Sequence, residues 1–87
     1  MAGKGGIDVT ATANGKEICG ALVFVDGSYK GQIPCDIKLL RLWGFSFGKH
    51  TVSVEWRDGL VLWTGSQKVD VQSESYWFSK VKLKRRY

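Results

Sequence analysis

His50 is the only histidine in the chain, and Cys19 and Cys35 are its only cysteines, so nucleophilic or metal-binding chemistry has few residues to draw on. A Ser-His-Asp or Cys-His arrangement needs a partner within hydrogen-bond reach of the imidazole, and no spacing in the chain places one. At the head of an amphipathic strand, His50 is expected to pack a turn or face solvent. A zinc site built from Cys19, Cys35 and His50 would lack a C-x-x-C pair, an H-x-x-x-H pair and a fourth ligand. Asp26, Asp36 and Asp58 stand beside turns, where Asp is expected for backbone reasons, and they lack the spacing of a calcium loop. Gly3-Lys4-Gly5-Gly6 opens a strand rather than a helix, which removes the usual phosphate cradle. The reading is a protein with no catalytic residue, no metal and no cofactor, and hence not an enzyme.

Two surface features remain. Trp43, Phe45 and Phe47 fall within a short glycine-bounded stretch, expected as a loop. They serve either as a lid over an open end of the core or as an exposed anchor for a protein or glycan partner, a role in which Trp is enriched. The second feature is the final strand, where alternation places Tyr76, Phe78, Lys80, Lys82 and Lys84 on one face, with Arg85 and Arg86 trailing. Such a strip suits single-stranded nucleic acid or an acidic surface. It also suits a solvated edge whose lysines discourage aggregation.

These residues are positioned by strands. Period-two alternation dominates, with Ile7, Val9, Ala11 and Ala13 set against Asp8, Thr10, Thr12 and Asn14. Val52, Val54 and Trp56 likewise alternate with Thr51, Ser53 and Glu55. Further strands are expected at Ala21 to Val25 (buried on both faces), Cys35 to Trp43, Leu60 to Trp63, Gln67 to Gln72 and Ser75 to Leu83. Asn14-Gly15, Asp26-Gly27 and Asp58-Gly59 are hairpin signals, and Gly31 and Pro34 mark another turn. No window carries helical periodicity over ten residues. The fold class is therefore all-β, a small antiparallel β-sandwich of about seven short strands. Val52, Val54, Trp56, Val69, Val71, Trp77, Val81 and Leu83 are expected to share one core.

With 87 residues the chain supports one domain, read as residues 7–87 behind a flexible segment 1–6. The formal charge is +5, and five of the thirteen basic residues follow Ser79, so the body is balanced and the end is basic. No stretch approaches the ~20 apolar residues of a membrane-spanning helix. The opening residues lack the apolar core of a signal peptide, so the chain as written reads as cytoplasmic, and as extracellular or cell-surface if it is a fragment. In a reducing compartment Cys19 and Cys35 read as two small buried apolar residues, with a disulfide as the alternative.

The runs Gly20-Ala21-Leu22-Val23-Phe24-Val25-Asp26-Gly27, Tyr29-Lys30-Gly31-Gln32-Ile33-Pro34 and Gly48-Lys49-His50-Thr51-Val52-Ser53-Val54 resemble the PEGA domain. That family is named for a Pro-Glu-Gly-Ala run ahead of a strand ending in Val-Asp-Gly, followed by Gly-x-x-Pro and Gly-x-His. Here Ile18 and Cys19 stand in place of the leading Pro and Glu, and the aromatic stretch is an insertion. The resemblance implies an immunoglobulin-like or transthyretin-like sandwich and a non-enzymatic interaction module with a protein or cell-envelope partner. The alternative is a small basic nucleic-acid-binding protein that uses the C-terminal strip.

Overall fold

A computed structural model describes residues 3–86, and every regular element among them is a strand. In chain order these are β1 (Lys4–Ala13), β2 (Lys16–Glu17), β3 (Leu22–Val25), β4 (Ser28–Gln32), β5 (Leu40–Ser46), β6 (Gly48–Asp58), β7 (Val61–Val71) and β8 (Tyr76–Arg85). They form one curled mixed sheet in the order β2-β1-β8-β7-β6-β3-β4, with β5 also on β1. Along one edge, β1 pairs with β5 over Lys4 to Val9 and with β2 at Thr12 and Ala13. Along the other, it runs parallel to β8 from Gly6 to Ala13. The ladder between β8 and β7 is confined to Trp63–Arg85 and Thr64–Lys84, and there the sheet folds over into a β1 layer and a β6 layer.

The core lies between these layers. Ile7, Val9, Ala11, Val81 and Leu83 come from one side, and Val23, Val25, Val52, Val54, Val69 and Val71 from the other. Of the residues expected there, Trp56 and Trp77 are only partly buried and pack against the edge of the cluster. Trp56 leans on Trp63 with ring centroids 6.2 Å apart. Tight turns account for the hairpins. Asn14-Gly15 and Asp26-Gly27 both carry positive φ at two successive residues, as a type I′ turn requires.

The all-β class stands, and several details differ from expectation. One pair, β1 with β8, is parallel, which the long stretch of chain between the two strands permits. Residues 35–39 form a turn instead of the start of a strand, and Ser28–Gln32 is an edge strand where a turn was expected. Leu60 to Trp63 and Gln67 to Gln72 merge into the continuous β7, since pairing with all of β6 outweighs the weak pattern between them. β3 is buried on one face only, with Val23 and Val25 inside and Leu22 and Phe24 half-buried. Lys4, Gly5 and Gly6, expected ahead of the first strand, are its first residues; Met1, Ala2 and Tyr87 lie outside the described residues.

The cysteines are also corrected. Gly20 N–H donates to Ile33 O at 2.7 Å and Ile33 N–H donates to Ala21 O at 3.0 Å, which lays the segment before β3 alongside the one after β4. Cys19 and Cys35 then sit with Cα atoms 4.8 Å apart and form a disulfide. Cys35 is exposed, so the pair is a surface staple and not two buried thiols.

Candidate binding face

β8 alternates as expected. Ser79, Val81 and Leu83 are buried, while Tyr76, Phe78, Lys80, Lys82 and Lys84 are exposed on the outer side of the β1 layer. Phe78 is 62% exposed, high for a phenylalanine. Register adds the rest of the face. Gly6 on β1 lies opposite Trp43 on β5 and opposite Tyr76 on β8, so both aromatics flank a position with no side chain. A Cβ at Gly6 would collide with the Tyr76 ring, which occupies that space. Trp43 and Tyr76 pack with centroids 5.2 Å apart. The Arg41 guanidinium covers Tyr76 at 4.1 Å and donates to both carboxylate oxygens of Asp8, at 2.9 and 3.0 Å. The fork fits a carboxylate pair, and it neutralises an acid that is buried at the centre of the layer.

The aromatic stretch is therefore not a loop. It is the end of β5 and the turn into β6, and its rings go three ways. The β1–β5 register shifts between Gly5, opposite Phe45, and Gly6, opposite Trp43, which leaves Gly44 as the extra residue of a β-bulge at φ 106°. Without the bulge Phe45 would share the face of Trp43. With it, Trp43 stays outside at 51% exposure and Phe45 is buried at 8%. Phe45 thus drops out of the binding candidates and closes the end of the core, edge-on to His50 at 5.5 Å. Phe47 forms the corner and lies against Gly3, away from Tyr76.

Lys80, Lys82 and Lys84 make no ion pair among the described residues. Lys80 and Lys82 stand opposite the buried Thr10 and Thr12 of β1. Shallow hollows flank these two lysines, one lined by Thr12, Asn14 and Gly15 and the other by Ser66 and Gln67. The second exists because β7 and β8 splay apart above their short junction, bridged by Ser79 Oγ donating to Gln67 Oε1 at 3.1 Å. The two arginines leave the strip. Arg85 pairs in register with Trp63 and projects to the opposite side of β8 from the lysines. Arg86 turns across β7, its N–H donating to Leu62 O at 2.7 Å and its Nε to the Thr64 hydroxyl.

His50 packs a turn, on the far side of the β5–β6 corner from this face. Its Nδ1 is 2.6 Å from Asp26 Oδ2 and its Nε2 is 2.7 Å from Ser46 O. A carbonyl and a carboxylate only accept, so the pocket is matched to the imidazolium form, in which both nitrogens donate. The bond to Ser46, then Asp26, raises its pKa above the usual 6.5 against a desolvation that lowers it. Asp26 also accepts from Thr51 N–H at 2.9 Å, and that bond, with His50 second, draws its pKa below 3.8. These contacts clip the β3–β4 turn to β6. They leave neither ring nitrogen for chemistry, and the disulfide engages both sulfurs. Among the described residues no group of three or more His, Cys, Asp or Glu could hold a metal ion, and no helix is long and apolar enough to cross a membrane.

Arg41, Asp8 and Gly6 carried no signal in the sequence. Arg41 and Asp8 are 33 residues apart, and only the β1–β5 register brings them together. No protein-family model matches the chain, and no curated protein matches it.

Proposed function

We propose that this chain is a non-catalytic, PEGA-like β-sandwich interaction module that binds a protein or cell-envelope partner through the outer face of the β1 layer. The observation that carries this reading is the continuity of that face: Trp43, Tyr76 and Phe78 stand exposed beside three lysines that make no ion pair among the described residues. A patch of large aromatics ringed by polar groups is a common form of protein interaction site. The PEGA-like runs gain a physical reason from Asp26 and His50, since the Val-Asp-Gly turn and the Gly-x-His segment are the two ends of one hydrogen-bonded clip. The disulfide favours an oxidising surroundings, and with it an extracellular or cell-surface place over the cytoplasm.

The test is capture from the envelope fraction of the source cell by the wild type, Trp43→Ala, Phe78→Ala and the distant Lys68→Gln. A discrete partner should be retained by the wild type and Lys68→Gln and lost by the two aromatic variants. Equal recovery by all four would refute the face. A second reading, single-stranded nucleic acid, is favoured by the lysine row adjoining Phe78. It predicts a log-log salt slope of roughly −2 for three phosphate contacts, since a single strand releases about 0.7 counterion per contact.

A further inference from the structure

Resting on that reading, we propose that the occupant of the face is an acidic polysaccharide, a carboxylate-bearing glycan chain laid along β8. Three observations lead to it. Lys80, Lys82 and Lys84 repeat at about 6.6 Å along one side of a strand, a line of fixed positive charge that suits a linear polyanion better than a single anionic group. The hollows beside them are lined by hydroxyls and amides, from Thr12, Asn14, Ser66 and Gln67, which both donate to and accept from the hydroxyls of a sugar. Above the lysines Phe78 offers an open ring to the apolar face of a pyranose.

The same details disfavour nucleic acid. Successive bases need a row of free ring faces. Tyr76 has one face under Arg41 and an edge against Trp43, so Phe78 is the clear platform on β8. The surface disulfide also favours an oxidising setting, where a charged glycan is an available ligand.

The experiment titrates the intact chain with polygalacturonate, with neutral dextran and with oligo-dT of matched charge. Polygalacturonate should bind best, weaken as salt rises from about 50 to about 200 mM, and exceed dextran at least tenfold. Lys80→Gln with Lys82→Gln should weaken it by about tenfold, and Phe78→Ala by about fivefold. All three side chains are exposed, so the substitutions leave the core untouched. Lys49→Gln with Lys68→Gln removes equal charge from the outer side of the β6 layer and should leave binding unchanged. Equal losses in the two double variants would reduce the effect to net charge and overturn the proposal, as would tighter binding of oligo-dT or no binding at about 50 mM salt. If polygalacturonate fails while envelope capture still depends on Phe78, only this proposal falls; if both fail, so does the binding face.

Discussion

The clip that His50 forms with Asp26 and Ser46 favours the protonated ring, which makes stability depend on pH with a defined sign. Its folded pKa lies above the ordinary 6.5, so the folded state holds the proton more tightly than the unfolded chain. That stabilisation is complete below pH 6.5 and is lost as pH rises through the raised value. Asp26 runs the other way. Its folded pKa lies below 3.8, so its share is complete above that pH and is lost as acid protonates it. Urea unfolding midpoints should form a plateau between these limits and fall on the alkaline side. In His50→Gln the alkaline fall should disappear, with an overall cost of about 1.5 to 3 kcal/mol for the lost charged hydrogen bonds. An unchanged alkaline fall in that variant would assign the titration elsewhere.

At the scale of elements, glycines decide how strands cross. A Cβ at Gly65 on β7 would run into the Lys82 carbonyl oxygen and lie 3.1 Å from Leu83 Cδ2, because β8 presses onto β7 as it passes between layers. Gly65→Ala should cost about 1 to 3 kcal/mol by denaturation, since the obstacle is backbone. At Gly44 the space is open and only the positive φ resists. Gly44→Val should cost about 1 to 3 kcal/mol through backbone strain and weaken binding at Trp43 by loosening the bulge. These two positions also mark where sequence reading ran out. Alternation along β8 and β6 was visible because one face of each is buried, and the exposure of Tyr76, Phe78 and the lysines followed directly. The bulge was not visible, because a single residue inserted in β5 reverses the side of everything after it. Sequence alone therefore leaves Phe45 open between lid and anchor and gives Arg41 no role, for the pairing that places both belongs to β1, in a distant part of the chain.

For the whole molecule the question is how an 87-residue chain holds two layers together when the ladder joining them is only a short stretch of β7 and β8. The core is rich in valine and alanine, with the large aromatics at its margins, so burial per residue is modest. The Cys19–Cys35 bridge compensates at the end of the β6 layer, where the chain enters β3 and leaves β4. It spans 16 residues, and closing a loop near that length removes unfolded-state entropy worth about 3 kcal/mol. In a domain of this size each kcal/mol moves the melting temperature by about 4 to 8 °C. Reduction should therefore lower the thermal midpoint, followed by circular dichroism, by about 12 to 24 °C. Cys19→Ser with Cys35→Ser should melt at the reduced midpoint and ignore added reductant. A wild-type midpoint that does not respond to reductant would make the bridge dispensable and remove its support for an oxidising compartment. A large drop would instead mean that the binding face is held most firmly where thiols stay oxidised, so polysaccharide binding should fail first on heating under reducing conditions.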